Sequence, residues 1–419
     1  MTITLNSHAP EGRIDNMPAS KSIAHRAFIC ACFAQGETEI ECDSFSEDIQ
    51  ATVGVIKSLG AEVTKQGNRY TVIPVKSVPK EQVQLDFFES GSTMRFILPI
   101  LGALGIKAEM LTRGRLTTRP LSPLYEILSS SGMILSPQGI CPLYCEGKLN
   151  KNNFSLDAGV SSQFISGLLF ALSLSGGGTV EITGSFESRD YVYLTCDILK
   201  KFGIQVTHKD NKFTVSRGKI TSPGKIIIES DWSNAAFWLS LGALSRKGIS
   251  VSPLNLNSVQ GDIRILDILK KFGAEIITEK DSITVRKGQL SAIHFDARDI
   301  PDLVPVISVV AAASEGVTVI DGISRLRIKE SDRVHSVCEM LGNLGIKTQS
   351  DANSMKIYGG KLTGGTVDSF GDHRIVMSAS IASFVAEGEV TINNARAVNK
   401  SYPTFFGEIG KLGAQVKEK

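Results

Sequence analysis

Leu59-Gly60-Ala61-Glu62-Val63 returns along the chain as Ser131-Gly132-Met133-Ile134-Leu135, Phe202-Gly203-Ile204-Gln205-Val206 and Phe272-Gly273-Ala274-Glu275-Ile276. It returns twice more, as Leu344-Gly345-Ile346-Lys347-Thr348 and Leu412-Gly413-Ala414-Gln415-Val416. Successive glycines lie 72, 71, 70, 72 and 68 residues apart. Each copy reads as the end of a helix, a glycine where positive φ is needed, and the first strand of a hairpin. Six copies of one unit decide the architecture.

Working outward, the segment before each glycine has helical spacing. In Asp48–Leu59 the apolar residues Ile49, Val53 and Ile56 predict one buried face, and Tyr193–Phe202 repeats the pattern. After the glycine comes a hairpin, as in 275–278, a turn at Lys280-Asp281, and 282–286. A second helix in each unit is apolar nearly all round: 22–33, 92–104, 162–174, 234–244, 303–313 and 373–385. Such helices belong inside, with sheets outside. Most lead through glycine into a strand, such as Thr179-Val180-Glu181-Ile182. The expected fold class is α/β: a two-lobed, inside-out α/β barrel of six βαβαββ repeats, three per lobe. Residues 1–18 hold only one strand-like piece and are expected to complete a lobe with 230–419. The other lobe is 19–229, with crossings near 18–20 and 228–231.

With 419 residues, 42% hydrophobic and 21% charged, the chain has the composition of a soluble globular protein of two or three domains. A net charge of +2 without long like-charge blocks argues against a nucleic-acid or membrane-surface protein. The longest apolar runs fall short of the ~20 residues of a membrane span, and Met1–Asn16 has no apolar core of a secretory signal. Seven cysteines, at 30, 32, 42, 141, 145, 196 and 338, include no C-x-x-C; free thiols in a reducing cytoplasm are expected. No histidine pairs with another at i, i+4, so no metal is expected.

The starts of the inner helices are polar: Ser20-Lys21-Ser22, Glu89-Ser90-Gly91-Ser92-Thr93, Ser161-Ser162-Gln163, Asp231-Trp232-Ser233-Asn234, 299–302 and Gly371-Asp372-His373-Arg374. Ser, Thr, Asp and Asn cap helices anywhere, which is the plain alternative. Capping does not account for Lys21, Arg26, Arg95 and Arg374, which the helix dipole disfavours unless an anion lies beside them. Helix N-termini bind anions in their own right. Together they suggest a site for a small, multiply charged anion. Lys329 and Arg333 stand at i, i+4 beside Glu330, open to reading as a solvated, salt-bridged helix or as site residues. Arg113–Pro120 reads as a mobile basic loop, solvent-exposed or functional, with a helix starting at Leu121.

These segments resemble the 5-enolpyruvylshikimate-3-phosphate synthase family over essentially the full chain. The matching residues are Pro18-Ala19-Ser20-Lys21-Ser22 with His25-Arg26, Ser90-Gly91 with Arg95, Arg119-Pro120 and Val160-Ser161-Ser162-Gln163. They continue as Ile300-Pro301-Asp302, 326–333, Gly371-Asp372-His373-Arg374 and Lys400 to Pro403. The resemblance implies two lobes closing over substrates, and carboxyvinyl transfer from phosphoenolpyruvate to the 5-hydroxyl of shikimate 3-phosphate, on the shikimate route to chorismate. It implies that Lys21, Ser22, Arg26, Ser161, Ser162, Gln163, Ser188, Tyr191, Asp302 and Lys329 hold shikimate 3-phosphate. Lys21, Gly91, Arg119, Gln163, Arg333, Arg374 and Lys400 would surround phosphoenolpyruvate. Two acid–base groups are needed: Asp302 for the hydroxyl proton and Glu330 for the methylene proton, with Lys21 and His373 assisting. It further implies no cofactor, a cytoplasmic monomer, and glyphosate as an inhibitor to test. Ala19, Glu89, Phe96 and Arg325 depart from the family's usual residues.

The sister enzymes that use UDP-N-acetylglucosamine carry a cysteine in the basic loop, and 113–120 has none. RNA 3′-phosphate cyclases share related repeats, but no RNA footprint is present here. A non-catalytic binder of phosphorylated metabolites would gain nothing from two carboxylates beside the cations.

Overall fold

The computed structural model describes residues 1–7 and 9–419. The chain forms two compact units, Ala19–Glu229 and Ser230–Lys419 with Met1–Pro18. Six four-stranded sheets divide equally between them.

One repeat in full shows the logic. Val83–Asp86 leads into the helix Gly91–Leu104, which returns to Ala108–Leu111, parallel to the first strand and registered Val83 to Ala108. The outer helix Leu124–Ser129 follows, then the hairpin Met133–Leu135 and Leu143–Gly147, whose second strand pairs antiparallel with Ala108–Leu111. All six repeated glycines, at 60, 132, 203, 273, 345 and 413, have φ between 84° and 106°. A side chain there would be strained, which is why the residue recurs.

The inner helices are buried because no face is polar enough to meet water. Every residue of Val304–Ala312 and all but Ser233 of Trp232–Leu244 is buried. The outer helix Glu47–Ser58 is capped by Ser46, whose hydroxyl accepts from Ile49 N, and it turns Ile49, Ala51, Thr52, Val55 and Ile56 inward. Val55 thus takes the place expected of Val53, which is half-buried.

Three repeats are not continuous in sequence, and here the expectation needs correcting. Residues 1–18 hold two strands, in two sheets. Gly12–Ile14 pairs parallel with Ile249–Val251, and Ile3–Ser7 lies between Val390–Asn393 and Ala414–Glu418. The sixth hairpin therefore takes its second strand from the chain start. In the other unit Lys225–Ile227 pairs parallel with Thr38–Glu41, completing the first repeat. The outer helix expected from Leu121 begins at Leu124; Pro123 pushes Ser122 out of helical conformation. No helix among the described residues is long and apolar enough to cross a membrane.

Candidate active site

In the 19–229 unit, Lys21 opens the helix Lys21–Cys32 and its Nζ donates to Asp48 Oδ2 at 2.7 Å. The anion needed beside a cation at a helix N-terminus is here supplied by the protein. One turn on, Arg26 is buried: Nη1 donates to Ser22 O (2.6 Å), Nη2 to Tyr191 O (2.8 Å) and Nε to Thr195 Oγ1 (2.8 Å). Its guanidinium lies over the Phe96 ring, giving that departure from the family pattern a contact. Burial lowers the Arg26 pKa to about 10, so the group stays charged. Ser22, Arg26 and Tyr191, named separately from sequence, are thus brought together. Ser188 precedes the helix Arg189–Lys201 with φ of 52°.

Around Gly91 the cations crowd. A Cβ at this residue would meet Arg95 Nη1 at 2.6 Å and Arg119 Nη1 at 2.9 Å, so only glycine lets both guanidiniums approach its backbone. Arg95 Nη1 donates to Gln163 Oε1 (3.3 Å), and Gln163 Nε2 donates to Ser92 Oγ (2.9 Å). Ser161 caps the helix Ser162–Leu174 through Gln163 N. The Arg113–Arg119 segment is a short 3-10 turn, Gly114–Thr118, tied down by Arg113 to Asp86 at 2.5 Å. The Glu89 carboxylate lies against Gly114 of that turn.

Behind these groups lies a buried hub: His25, Ser90 and Thr93 fall in segments the sequence marks, but Thr52, which joins them, carries no such signal. His25 Nδ1 lies 2.6 Å from Thr52 Oγ1, which is 2.7 Å from Thr93 Oγ1, itself 2.7 Å from Ser90 Oγ. Burial, then the charges of Lys21 and Arg26, hold His25 well below the usual histidine range, so its ring is neutral. The hub ties three helices together; His25 lies 27 residues from Thr52, and Thr52 lies 41 from Thr93, beyond any local pattern.

The other unit carries the acid–base candidates. Asp302 Oδ1 accepts from Arg333 Nη1 at 2.6 Å, with Lys329 Nζ 4.0 Å away; Oδ2 accepts from Arg374 Nη2 at 3.0 Å. Arg333 also donates from Nη2 to Glu330 Oε2 (2.7 Å) and from Nε to Asp372 Oδ2 (2.8 Å). One guanidinium, 1% exposed, therefore joins both proposed acid–base carboxylates. Asp372, fully buried, caps the helix His373–Ala382 through Arg374 N and accepts from Ser331 Oγ. Residues 325–333 are not one helix: the 3-10 turn Ser324–Ile328 ends before Lys329, and Asp332 caps a new helix, Arg333–Asn343. His373 is buried, with Nδ1 3.8 Å from Asp372 Oδ1, and Lys400 Nζ donates to Gly371 O at 2.7 Å.

Electrostatics separates these groups. Burial raises the Asp302 pKa, but Arg374, Lys329 and Arg333 overcome it and hold the carboxyl well below its usual range. Burial lowers Lys329 to about 8. Asp262, buried and accepting from Ser233 Oγ, is raised to about 6 by burial and by the charge of Asp302.

A family model described as EPSP synthase (3-phosphoshikimate 1-carboxyvinyltransferase) matches residues 6–409. The 3-phosphoshikimate 1-carboxyvinyltransferase of Clostridium acetobutylicum is 42% identical over 410 residues, covering 96% of this chain and 95% of that one. The protein of the same name from Clostridium kluyveri is 38% identical, covering 99% and 98%. Among solved structures, an EPSP synthase from Acinetobacter baumannii superposes with a TM-score of 0.81 at 26% identity over the whole of both chains. The enolpyruvyl transferase NikO from Streptomyces tendae, at 16% identity and TM-score 0.78, shares the fold. The chain belongs to the EPSP synthase (3-phosphoshikimate 1-carboxyvinyltransferase) family.

Proposed function

We propose how this chain's residues divide the work of its family's reaction. The chain transfers the carboxyvinyl group of phosphoenolpyruvate to the 5-hydroxyl of shikimate 3-phosphate and releases phosphate. That step lies on the shikimate pathway to the aromatic amino acids. The enol phosphate is protonated at its methylene carbon, and the cationic C2 is attacked by the 5-oxygen. The resulting tetrahedral adduct loses a methyl proton and phosphate.

Glu330 gives the methylene its proton and takes one back from the methyl group; Asp302 accepts the hydroxyl proton. Lys21 and His373 assist proton traffic. Ser22, Arg26, Ser161, Ser162, Gln163, Ser188, Tyr191 and Lys329 hold shikimate 3-phosphate, with Lys21 and Asp302. Lys21, Gly91, Arg119, Gln163, Arg333, Arg374 and Lys400 engage phosphoenolpyruvate. Arginines suit its planar carboxylate through paired N–H donors. The same reading takes the chain as a cytoplasmic monomer, inhibited by glyphosate and without a cofactor.

The observation that carries the acid–base roles is Arg333 bridging Asp302 and Glu330, two carboxylates on one buried guanidinium. A binder of phosphorylated metabolites has no use for that pair. The test is phosphate release from phosphoenolpyruvate with shikimate 3-phosphate or UDP-N-acetylglucosamine as acceptor. Release with only the sugar nucleotide would sink the reading. Glu330→Gln is expected to lower turnover by ~10²-fold or more while substrates still bind; near-normal turnover would remove Glu330 from its role.

A further inference from the structure

We propose that the carboxylate of phosphoenolpyruvate activates Asp302 by replacing it on Arg333 and Arg374. The inference rests on the reading of Asp302 as the base. As held, both Asp302 oxygens are engaged: Oδ1 by Arg333 at 2.6 Å with Lys329 near, Oδ2 by Arg374 at 3.0 Å. A carboxylate stabilised by three cations is a weak base, and a weak base does little to draw a proton from an alcohol. The arginines assigned to phosphoenolpyruvate are the ones holding the base. Substrate binding and base activation therefore contend for the same N–H donors.

The geometry favours exchange. Arg333 Nη1 and Arg374 Nη2 already bind one carboxylate, an oxygen each, so their spacing suits a second of the same shape. Each arginine keeps an anchor that does not move with the Asp302 side chain. Arg333 Nε is held by buried Asp372 at 2.8 Å, and Arg374 Nη1 donates to the Asp302 backbone carbonyl at 3.2 Å. The cations stay while the carboxylates trade places. Once the incoming charge offsets theirs, Lys329 is left to favour the Asp302 carboxylate, against the nearby negative charges of Glu330 and Asp262. Its basicity rises when the second substrate is in place.

The test uses the full chain labelled with carboxyl-13C aspartate, titrated by NMR with phosphoenolpyruvate, pyruvate or inorganic phosphate. Asp302→Asn and Asp262→Asn identify the two signals. Phosphoenolpyruvate and pyruvate are expected to raise the Asp302 midpoint by at least ~1 pH unit, tenfold in proton affinity, and inorganic phosphate is not. An unmoved midpoint at saturating phosphoenolpyruvate overturns the exchange; an equal rise with inorganic phosphate overturns the assignment to the carboxylate. Turnover by Asp302→Asn separates the premise: near-normal activity removes Asp302 as base, whereas lost activity with an unmoved wild-type midpoint rejects only the exchange. A crystal structure of the wild-type chain with phosphoenolpyruvate gives a second readout. Asp302 is expected beyond hydrogen-bond reach of both arginines, and retained contacts would refute the proposal.

Discussion

Gly91→Ala separates stability from function more sharply than any other single change. Gly91 is the first residue of the helix Gly91–Leu104, and its φ is not positive, so alanine fits the backbone. Helix propensity favours the change, leaving stability within ~1 kcal/mol of wild type. The new Cβ would lie 2.6 Å from Arg95 Nη1 and 2.9 Å from Arg119 Nη1. An ordinary contact is ~3.5 Å, so the nearer guanidinium must retreat by roughly 0.9 Å and the other by roughly 0.6 Å. These are ends of long side chains, which move at little cost to the fold. A displacement near 1 Å at a binding group can cost ~10²-fold in rate, equivalent to about 2.7 kcal/mol. Phosphate release measured against phosphoenolpyruvate should show kcat/KM reduced by that factor. A thermal melt supplies the control. If the folded variant keeps kcat/KM for phosphoenolpyruvate within about threefold of wild type, the Gly91–Arg119 assignment is wrong.

Two further outcomes concern the buried networks. Thr52→Val deletes the hydroxyl joining His25 to Thr93. Leaving such a group unpaired costs ~1–3 kcal/mol, so calorimetry should show a lower Tm that Thr52→Ser restores; a wild-type melt for the valine variant would argue against the hub. Asp262→Asn should stabilise more at pH 7.5 than at pH 4.5. The folded Asp262 pKa is raised from 3.8 to about 6, so the native state holds the extra proton and wild-type stability falls as pH rises through that interval. Asparagine avoids this loss while still accepting from Ser233. Urea midpoints that differ by the same amount at both pH values would contradict it.

The repeat was legible because it is local: a helix face, a glycine with positive φ and a hairpin all lie within a few residues of each other. Lys21, Arg26 and Arg374 were legible for a related reason, since a cation near a helix N-terminus conflicts with the dipole. What balances them was not legible. Asp48 answers Lys21 from 27 residues away, and Asp302 answers Arg374 from 72. Lys329 and Arg333 have helical spacing, yet a turn intervenes and Arg333 reaches its partners from the start of a new helix. Thr52 and Asp262 carry no sequence signal, because a buried threonine or aspartate gains its properties from its surroundings.

The sequence by itself determined the repeat count, the division into buried and amphipathic helices, and the residue types gathered at inner-helix starts. Those follow from backbone strain and burial, which act over one or two turns. Tertiary structure alone decided that Ile3–Ser7, Gly12–Ile14 and Lys225–Ile227 complete repeats far from them in sequence. Strand pairing depends on which edges meet in space. It also decided that Arg333 holds two carboxylates at once, because charge pairing depends on distance through space, not on separation along the chain.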